Sequence, residues 1–228
     1  IGEGRQVVYV NDEDQLLALD AETGVAGWAV RRGFTNGWLP ANGRAGDKAV
    51  CVVSWRRERR MYLSCLECLS GIPVWTRRMP VSDGKLSQPP IVHKSSVLVP
   101  TEAGLVDQLD LVSGKTRSRV RLPESLAARC VLNVEKERLA CLGRELGTYT
   151  LGLSPALSIE EVHVRDGAVG EGQAHVAWAG SLLLAAINLD ESRCRLVTYR
   201  LAGGQLLEAG EALEFDGNFW QPPSILGD

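Results

Sequence analysis

The sequence predicts an all-β chain of repeated four-stranded antiparallel units, and three observations predict it. A turn grammar recurs at positions 24, 71, 114, 157 and 204, which are 47, 43, 43 and 47 residues apart. Short β-rich runs precede each of these turns in the same order. Helix signals are nearly absent, the best window being the short stretch 124–129 between two strand-like runs. Four antiparallel strands repeated every 40 to 50 residues or so read as the blades of a β-propeller, whereas a β-sandwich needs no fixed period.

The first unit sets the pattern. Val7 to Val10 and Gln15 to Asp20 are β-rich runs on either side of a polar turn, followed by Thr23-Gly24 and then Trp28. The second copy runs Val50 to Val53, Met61 to Leu66, Ser70-Gly71 and Trp75. In the third, Val97 to Val99 and Leu105 to Asp110 lead to Ser113-Gly114, and Ser118 stands in the tryptophan place. The fourth is degenerate: Leu139 to Leu142 and Thr148 to Leu153 are followed by Leu157 where the turn glycine belongs. The fifth comprises Leu182 to Leu184, Cys194 to Leu201 and Gly203-Gly204, after which an outer strand is expected.

A second marker lies ahead of the units. Trp38-Leu39-Pro40, Gln88-Pro89-Pro90 and Gln221-Pro222-Pro223 each end in proline, and Gln173-Ala174-His175 fills the same slot before Leu182. Proline cannot donate to a ladder and so opens a strand or lies at a sheet edge. Each unit is therefore expected to begin with an inner strand A, continue through a B–C hairpin and finish with an outer strand D. The chain reads as one domain over 1–228, with units at about 5–33, 36–80, 86–122, 125–168 and 171–215. The first unit lacks strand A, and 217–228 supplies an inner strand for a further blade or for the first. A closed small ring and a part of a larger ring are both compatible with that arrangement.

Composition excludes several classes. With 25 basic and 28 acidic residues the net charge is −3, which gives no electrostatic reason for nucleic-acid binding. No apolar run approaches the ~18 residues of a spanning helix. Ile1 to Arg5 shows neither the basic nor the apolar region of a signal peptide. The six cysteines, at 51, 65, 68, 130, 141 and 194, are expected to be mostly reduced and buried. Cys65-Leu66-Glu67-Cys68 is a lone CxxC with no second pair, which argues against zinc, and Cys130 and Cys141 flank a hairpin turn across which they would face each other.

The run Leu16 to Asp20, Thr23-Gly24 and Trp28 resembles the PQQ-type repeat of quinoprotein dehydrogenases and of many non-enzymatic bacterial propellers. The match is close in the first copy, fair in the next two and weak in the last two. The resemblance implies that Asp20, Thr23, Gly24, Trp28, Gly71, Trp75, Asp110 and Gly114 are structural, the tryptophans docking one blade on the next. It also implies a larger ring of about seven or eight blades and an extracytoplasmic location. The residues agree on the structural role: Asp caps a turn, Gly supplies positive φ, and an indole covers a large apolar area. A quinoprotein dehydrogenase would be expected to show adjacent cysteines and calcium ligands. No two cysteines are adjacent here, so no cofactor is expected, and PQQ with calcium enters only under the alternative of an oxidoreductase fragment.

Hydrolase, P-loop and zincin motifs are absent from the sequence. His93, His163 and His175 are dispersed, with His93 and His175 both placed near a strand A. The leading expectation is a non-catalytic scaffold that binds a protein or peptide over one face; an extracytoplasmic sensor domain of a larger protein is a further alternative. Two surfaces are candidates. One is the rim of strand-A entry segments, carrying Asn36, Trp38, Gln88, Gln173, Trp220 and Gln221, a mixture of amides and indoles suited to protein contact. The other is the B–C hairpin of the second unit, where Arg56, Arg57, Arg59 and Arg60 follow Trp55 and offer guanidiniums to an acidic partner or phosphate.

Overall fold

The computed structural model describes residues 7–12, 15–31, 40–145, 147–164, 174–202 and 205–219. Among these, all regular structure is β except one 3-10 turn at Val81–Asp83. The strands form five antiparallel sheets taken consecutively along the chain. The first contains β1 (Val7–Asp12), β2 (Gln15–Asp20) and β3 (Ala26–Arg31). The second contains β4 (Ala41–Ala45), β5 (Lys48–Arg57), β6 (Arg60–Glu67) and β7 (Pro73–Arg78). The third contains β8 (Ile91–His93), β9 (Ser96–Pro100), β10 (Leu105–Asp110) and β11 (Thr116–Arg121). The fourth contains β12 (Val131–Asn133), β13 (Arg138–Leu142), β14 (Gly147–Gly152) and β15 (Ser158–Val164). The fifth contains β16 (Ala174–Ala179), β17 (Leu182–Asn188), β18 (Arg193–Ala202), β19 (Gln205–Glu208) and β20 (Leu213–Asp216).

These are the blades the repeat implies. The first has three described strands, and Pro40 and Pro90 stand immediately before β4 and β8, where a missing N–H costs the ladder nothing. The fifth departs from expectation. Its outer edge is two segments, since β19 pairs with Tyr199 to Ala202 and β20 with Arg193 to Leu196 of the same long strand β18. Gly203 and Gly204 lie outside the described residues. The stretch 124–129 forms no helix; Leu126 instead bridges to Gly143.

The chain divides into two compact units, one of Ile1–Pro100 with Asp107–Ser118, the other of Thr101–Val106 with Arg119–Asp228. In the first unit, β5 shows why the sequence reads as a solid apolar run rather than an alternation: both of its faces are covered. Cys51, Val53 and Trp55 pack with Leu16, Leu66 and Cys68 on one side. Val50 and Val52 pack with Leu63, Cys65, Val97, Val99 and Leu109 on the other. Inner strands buried on both faces lose the period-2 signal. In the second unit the core is Ala140, Leu142, Val176, Leu183, Ala185, Ile187, Val197 and Tyr199, again drawn from neighbouring blades.

The turn grammar is a set of short-range hydrogen bonds. Asp20 Oδ1 accepts from the backbone N–H of Glu22 and Thr23 and from the Thr23 hydroxyl, at 3.1, 2.9 and 3.0 Å. Asp110 repeats this with Ser113, whose N–H and hydroxyl donate at 2.7 and 2.8 Å. In the second blade Glu67 takes the Asp place and accepts from the Ser70 hydroxyl at 2.9 Å. Each turn then closes on a glycine at positive φ: Gly24 at 68°, Gly71 at 66° and Gly114 at 68°. The fifth blade uses the same chemistry on its B–C hairpin, where Asp190 Oδ1 accepts from the N–H groups of Ser192 and Arg193, both at 2.9 Å. The Ser192 N–H, with the Arg193 guanidinium, holds the Asp190 carboxyl down to about 2 against an ordinary 3.8. A depressed carboxylate stabilises the folded chain above its unfolded value and ceases to do so as pH falls through the folded one. The hairpin should therefore loosen only between about pH 4 and pH 2. A carbon-13 NMR titration of the Asp190 carboxyl with a midpoint at or above the ordinary value would contradict this.

Candidate interaction surface

In the first unit each outer-strand tryptophan reaches the turn of the following blade. Trp28, on β3, donates its indole N–H to the Cys68 carbonyl at 2.7 Å and lies over Gly71, where an added Cβ would sit 2.6 Å from the ring. Trp75, on β7, donates to the Leu111 carbonyl at 2.8 Å and covers Gly114, with a corresponding approach of 2.7 Å. Glycine is needed twice over at these positions, for φ and for the ring. Ser118 cannot make such a contact and instead donates its hydroxyl to Gln108 Oε1 at 2.6 Å. Asp20, Thr23, Gly24, Trp28, Gly71, Trp75, Asp110 and Gly114 are thus occupied with turns and blade docking.

The rim candidates fare differently. Asn36, Trp38, Gln173, Trp220 and Gln221 lie outside the described residues. Gln88 is described and is only 5% exposed, so its amide belongs to the interior and is not an accessible contact. In the third blade the segment that opens strand A carries Gln88 beneath the surface, and sequence alone does not reveal that cover.

The arginine hairpin is placed at the surface. β5 and β6 are joined by the two-residue turn Glu58-Arg59, and Arg57 stands directly opposite Arg60. Both turn residues have positive φ, 49° and 63°, the geometry of a tight hairpin turn that ordinarily selects Asn and Gly. Arg57, Arg59 and Arg60 are exposed and Arg56 is half-buried. Trp55 is not part of the accessible surface. It is 8% exposed, stacks on Tyr62 at 4.4 Å between ring centroids, and donates its indole N–H to the Ser64 hydroxyl at 3.0 Å. The indole stands one same-face row away from the Arg57–Arg60 pair.

Sequence reasoning missed one member of this cluster. In the β6–β7 ladder Arg78 pairs with Tyr62, while Trp55 pairs with Tyr62 across β5–β6. Trp55, Tyr62 and Arg78 therefore form one cross-strand row, and Arg57 and Arg60 form the next row on the same face. Arg78 is exposed, whereas its neighbour Arg77 is committed to Thr116 Oγ1 at 2.7 Å and the Gly114 carbonyl at 3.2 Å. The signal was present in Trp75-Thr76-Arg77-Arg78, because an outer strand running antiparallel to β6 must end beside the hairpin tip. Like charges directly opposite in a ladder cost roughly 0.2–1 kcal/mol. Among the described residues no carboxylate pairs with Arg57, Arg59, Arg60 or Arg78. Four other arginines do carry a carboxylate partner: Arg117 with Asp110, Arg138 with Glu160, Arg193 with Asp190 and Arg195 with Glu214. What sets Arg57, Arg60 and Arg78 apart is that the ladder gathers them on one face.

All six cysteines are free and buried. Hydrogen bonding from Cys51 draws the Cys68 thiol down, while Cys51 itself is pushed up by that bond and by burial. Burial lifts Cys65 to about 12. Burial also lowers His93 and His175, which occupy strands A of the third and fifth blades. No three His, Cys, Asp or Glu side chains among the described residues converge on a point where a cation would be held.

No protein-family model and no curated protein sequence matches the chain. Solved structures do. BamB from Moraxella catarrhalis aligns at a TM-score of 0.59 and 17% identity over 90% of this chain and 57% of that one. Sqt1 from Saccharomyces cerevisiae aligns at 0.59 and 9% over 86% of this chain and 55% of that one. A chain of the mitotic checkpoint complex aligns at 0.58 and 12% over 88% of this chain and 61% of that one. These are β-propellers, and the present chain has the β-propeller fold. It spans somewhat more than half the length of each.

Proposed function

We propose that this chain is a non-catalytic scaffold propeller that binds a protein or peptide over the end of its sheets that carries the β5–β6 hairpin. The observation that supports this is the set of exposed arginines Arg57, Arg59, Arg60 and Arg78, which have no carboxylate partner among the described residues and gather at one blade end beside the stacked Trp55 and Tyr62. An exposed like-charge pair is a standing cost that an acidic partner would offset. The repeat residues are committed to holding blades together and leave little for chemistry. One of the structurally similar propeller chains was solved within a complex.

A photo-crosslinking residue in place of Arg59 should capture a discrete partner in intact cells, and the purified pair should bind more weakly after Arg57→Glu with Arg60→Glu. A crosslinker at Lys136, on the β12–β13 turn, serves as the comparison; equal capture from both sites would remove the hairpin from the contact. Adding PQQ and calcium is expected to give no saturable absorbance change and no dye-linked oxidation of alcohols or sugars. Turnover that vanishes when PQQ is omitted would overturn the non-catalytic reading.

A further inference from the structure

We infer that the face formed by Arg57, Arg60 and Arg78 is a seat for an extended acidic peptide with carboxylates at alternate positions, an assignment that rests on the scaffold reading above. Three features of the ladder lead to it. Arg57 and Arg60 are directly opposed, so their guanidiniums start from neighbouring strands and point to the same side of the sheet. Arg78 is on that side too, one strand further out and one same-face row along, because it pairs with Tyr62. Arg78 is the diagonal neighbour of Arg60, about 7–8 Å away, close to the roughly 6.6–6.8 Å spacing of alternate side chains in an extended chain. A peptide carrying Glu or Asp at every second residue would thus present one carboxylate to the Arg57–Arg60 pair and the next to Arg78. Arginine forks suit this, since each can donate two parallel hydrogen bonds to a carboxylate.

The geometry favours a peptide over a single small anion. One phosphate spans only one row and leaves the guanidinium of the other unpaired. It also favours a peptide over nucleic acid. Trp55 is almost wholly buried against Tyr62 and bonded to Ser64, so its ring offers no face on which a base could stack. The chain as a whole is acidic, which repels a polyanion whose charge extends beyond the patch.

The test uses a fluorescein-labelled peptide of about ten residues with Glu alternating with Ser, and its anisotropy with the full chain. Saturable binding is expected, weakened about tenfold by raising salt from about 50 mM to about 300 mM. Arg57→Glu with Arg60→Glu should weaken it at least about tenfold, and Arg78→Ala about threefold to fivefold. Arg57→Gln with Arg60→Gln, which adds no charge at the turn, should also weaken it; a circular-dichroism melt of each variant establishes that it is folded. Arg193→Ala, at a guanidinium already paired with Asp190, should leave binding unchanged. Absence of saturable binding to the wild-type chain would overturn the assignment, as would equal losses from Arg193→Ala and the hairpin variants. Full competition by millimolar inorganic phosphate would mean a small-anion site, and tighter binding of a single-stranded oligonucleotide a nucleic-acid surface; each overturns it. Should the peptide fail while the Arg59 crosslink still captures a partner, only the acidic-peptide assignment falls and the scaffold reading stands.

Discussion

Trp75→Ala is expected to destabilise the protein by about 3 kcal/mol, the lower end of the range for removing a packed indole, because the ring is partly exposed. The substitution removes the cover over Gly114 and the 2.8 Å hydrogen bond to the Leu111 carbonyl. Trp28→Ala should behave alike, since it covers Gly71 and bonds the Cys68 carbonyl. A urea melt with an unchanged slope and a lower midpoint is the expected readout. Gly114→Ala should also destabilise, by placing an L side chain at φ 68° and by driving a Cβ to 2.7 Å from the indole. In the Trp75→Ala background the steric part disappears while the φ part stays. The double-mutant cycle should therefore show Gly114→Ala costing less there, by about 1 kcal/mol or more. Additive effects, or a Trp75→Ala protein as stable as wild type, would mean that the indole does not dock on that turn.

Glu124→Ala should have the next largest effect, about 2–3 kcal/mol. The Glu124 carboxylate accepts from the Glu145 N–H, from the Gly147 N–H at 2.6 Å and from the Tyr149 hydroxyl at 2.7 Å. It thereby closes the β13–β14 tip from a segment about twenty residues earlier. Gly143 is part of the arrangement, because a Cβ there would meet this carboxylate at 2.2 Å. Glu124→Gln should lose about half as much, since the amide keeps one acceptor but sets a donor against a donor. Hydrogen exchange gives a local readout: the Gly147 amide should exchange at least about tenfold faster in Glu124→Ala, with amides of the first blade unaffected. A uniform change across the chain would argue against a local clamp.

Much of this protein is legible in its sequence because its repeat is written in short-range interactions. Asp20 reaches Thr23, Asp110 reaches Ser113, and Gly24, Gly71 and Gly114 adopt a backbone angle that few other residues accept. Such contacts span three or four residues, so their spacing in the chain is their spacing in space. The same holds for Glu58-Arg59, placed correctly at a hairpin tip. The outer edge of the fifth blade was less legible, since β18 is long enough to pair with two separate segments and nothing local chooses between one strand and two.

Exposure was decided by the tertiary structure alone. Gln88 and Trp55 look like surface contacts in the sequence, yet neighbouring strands bury both. Glu124 sits in a stretch that reads as a short helix, but its side chain serves a tip far along the chain. Arg77 and Arg78 are adjacent and chemically identical, and only the pleat separates them. One side chain turns toward the next blade and is bonded there, while the other turns to the face where Arg57 and Arg60 stand. The sequence by itself determined that this chain is made of blades and where their turns fall, since turn chemistry and strand period act over a few residues. Which arginines gather into one surface was settled only by ladder register and blade packing, which join residues some twenty positions apart and decide which of them water can reach.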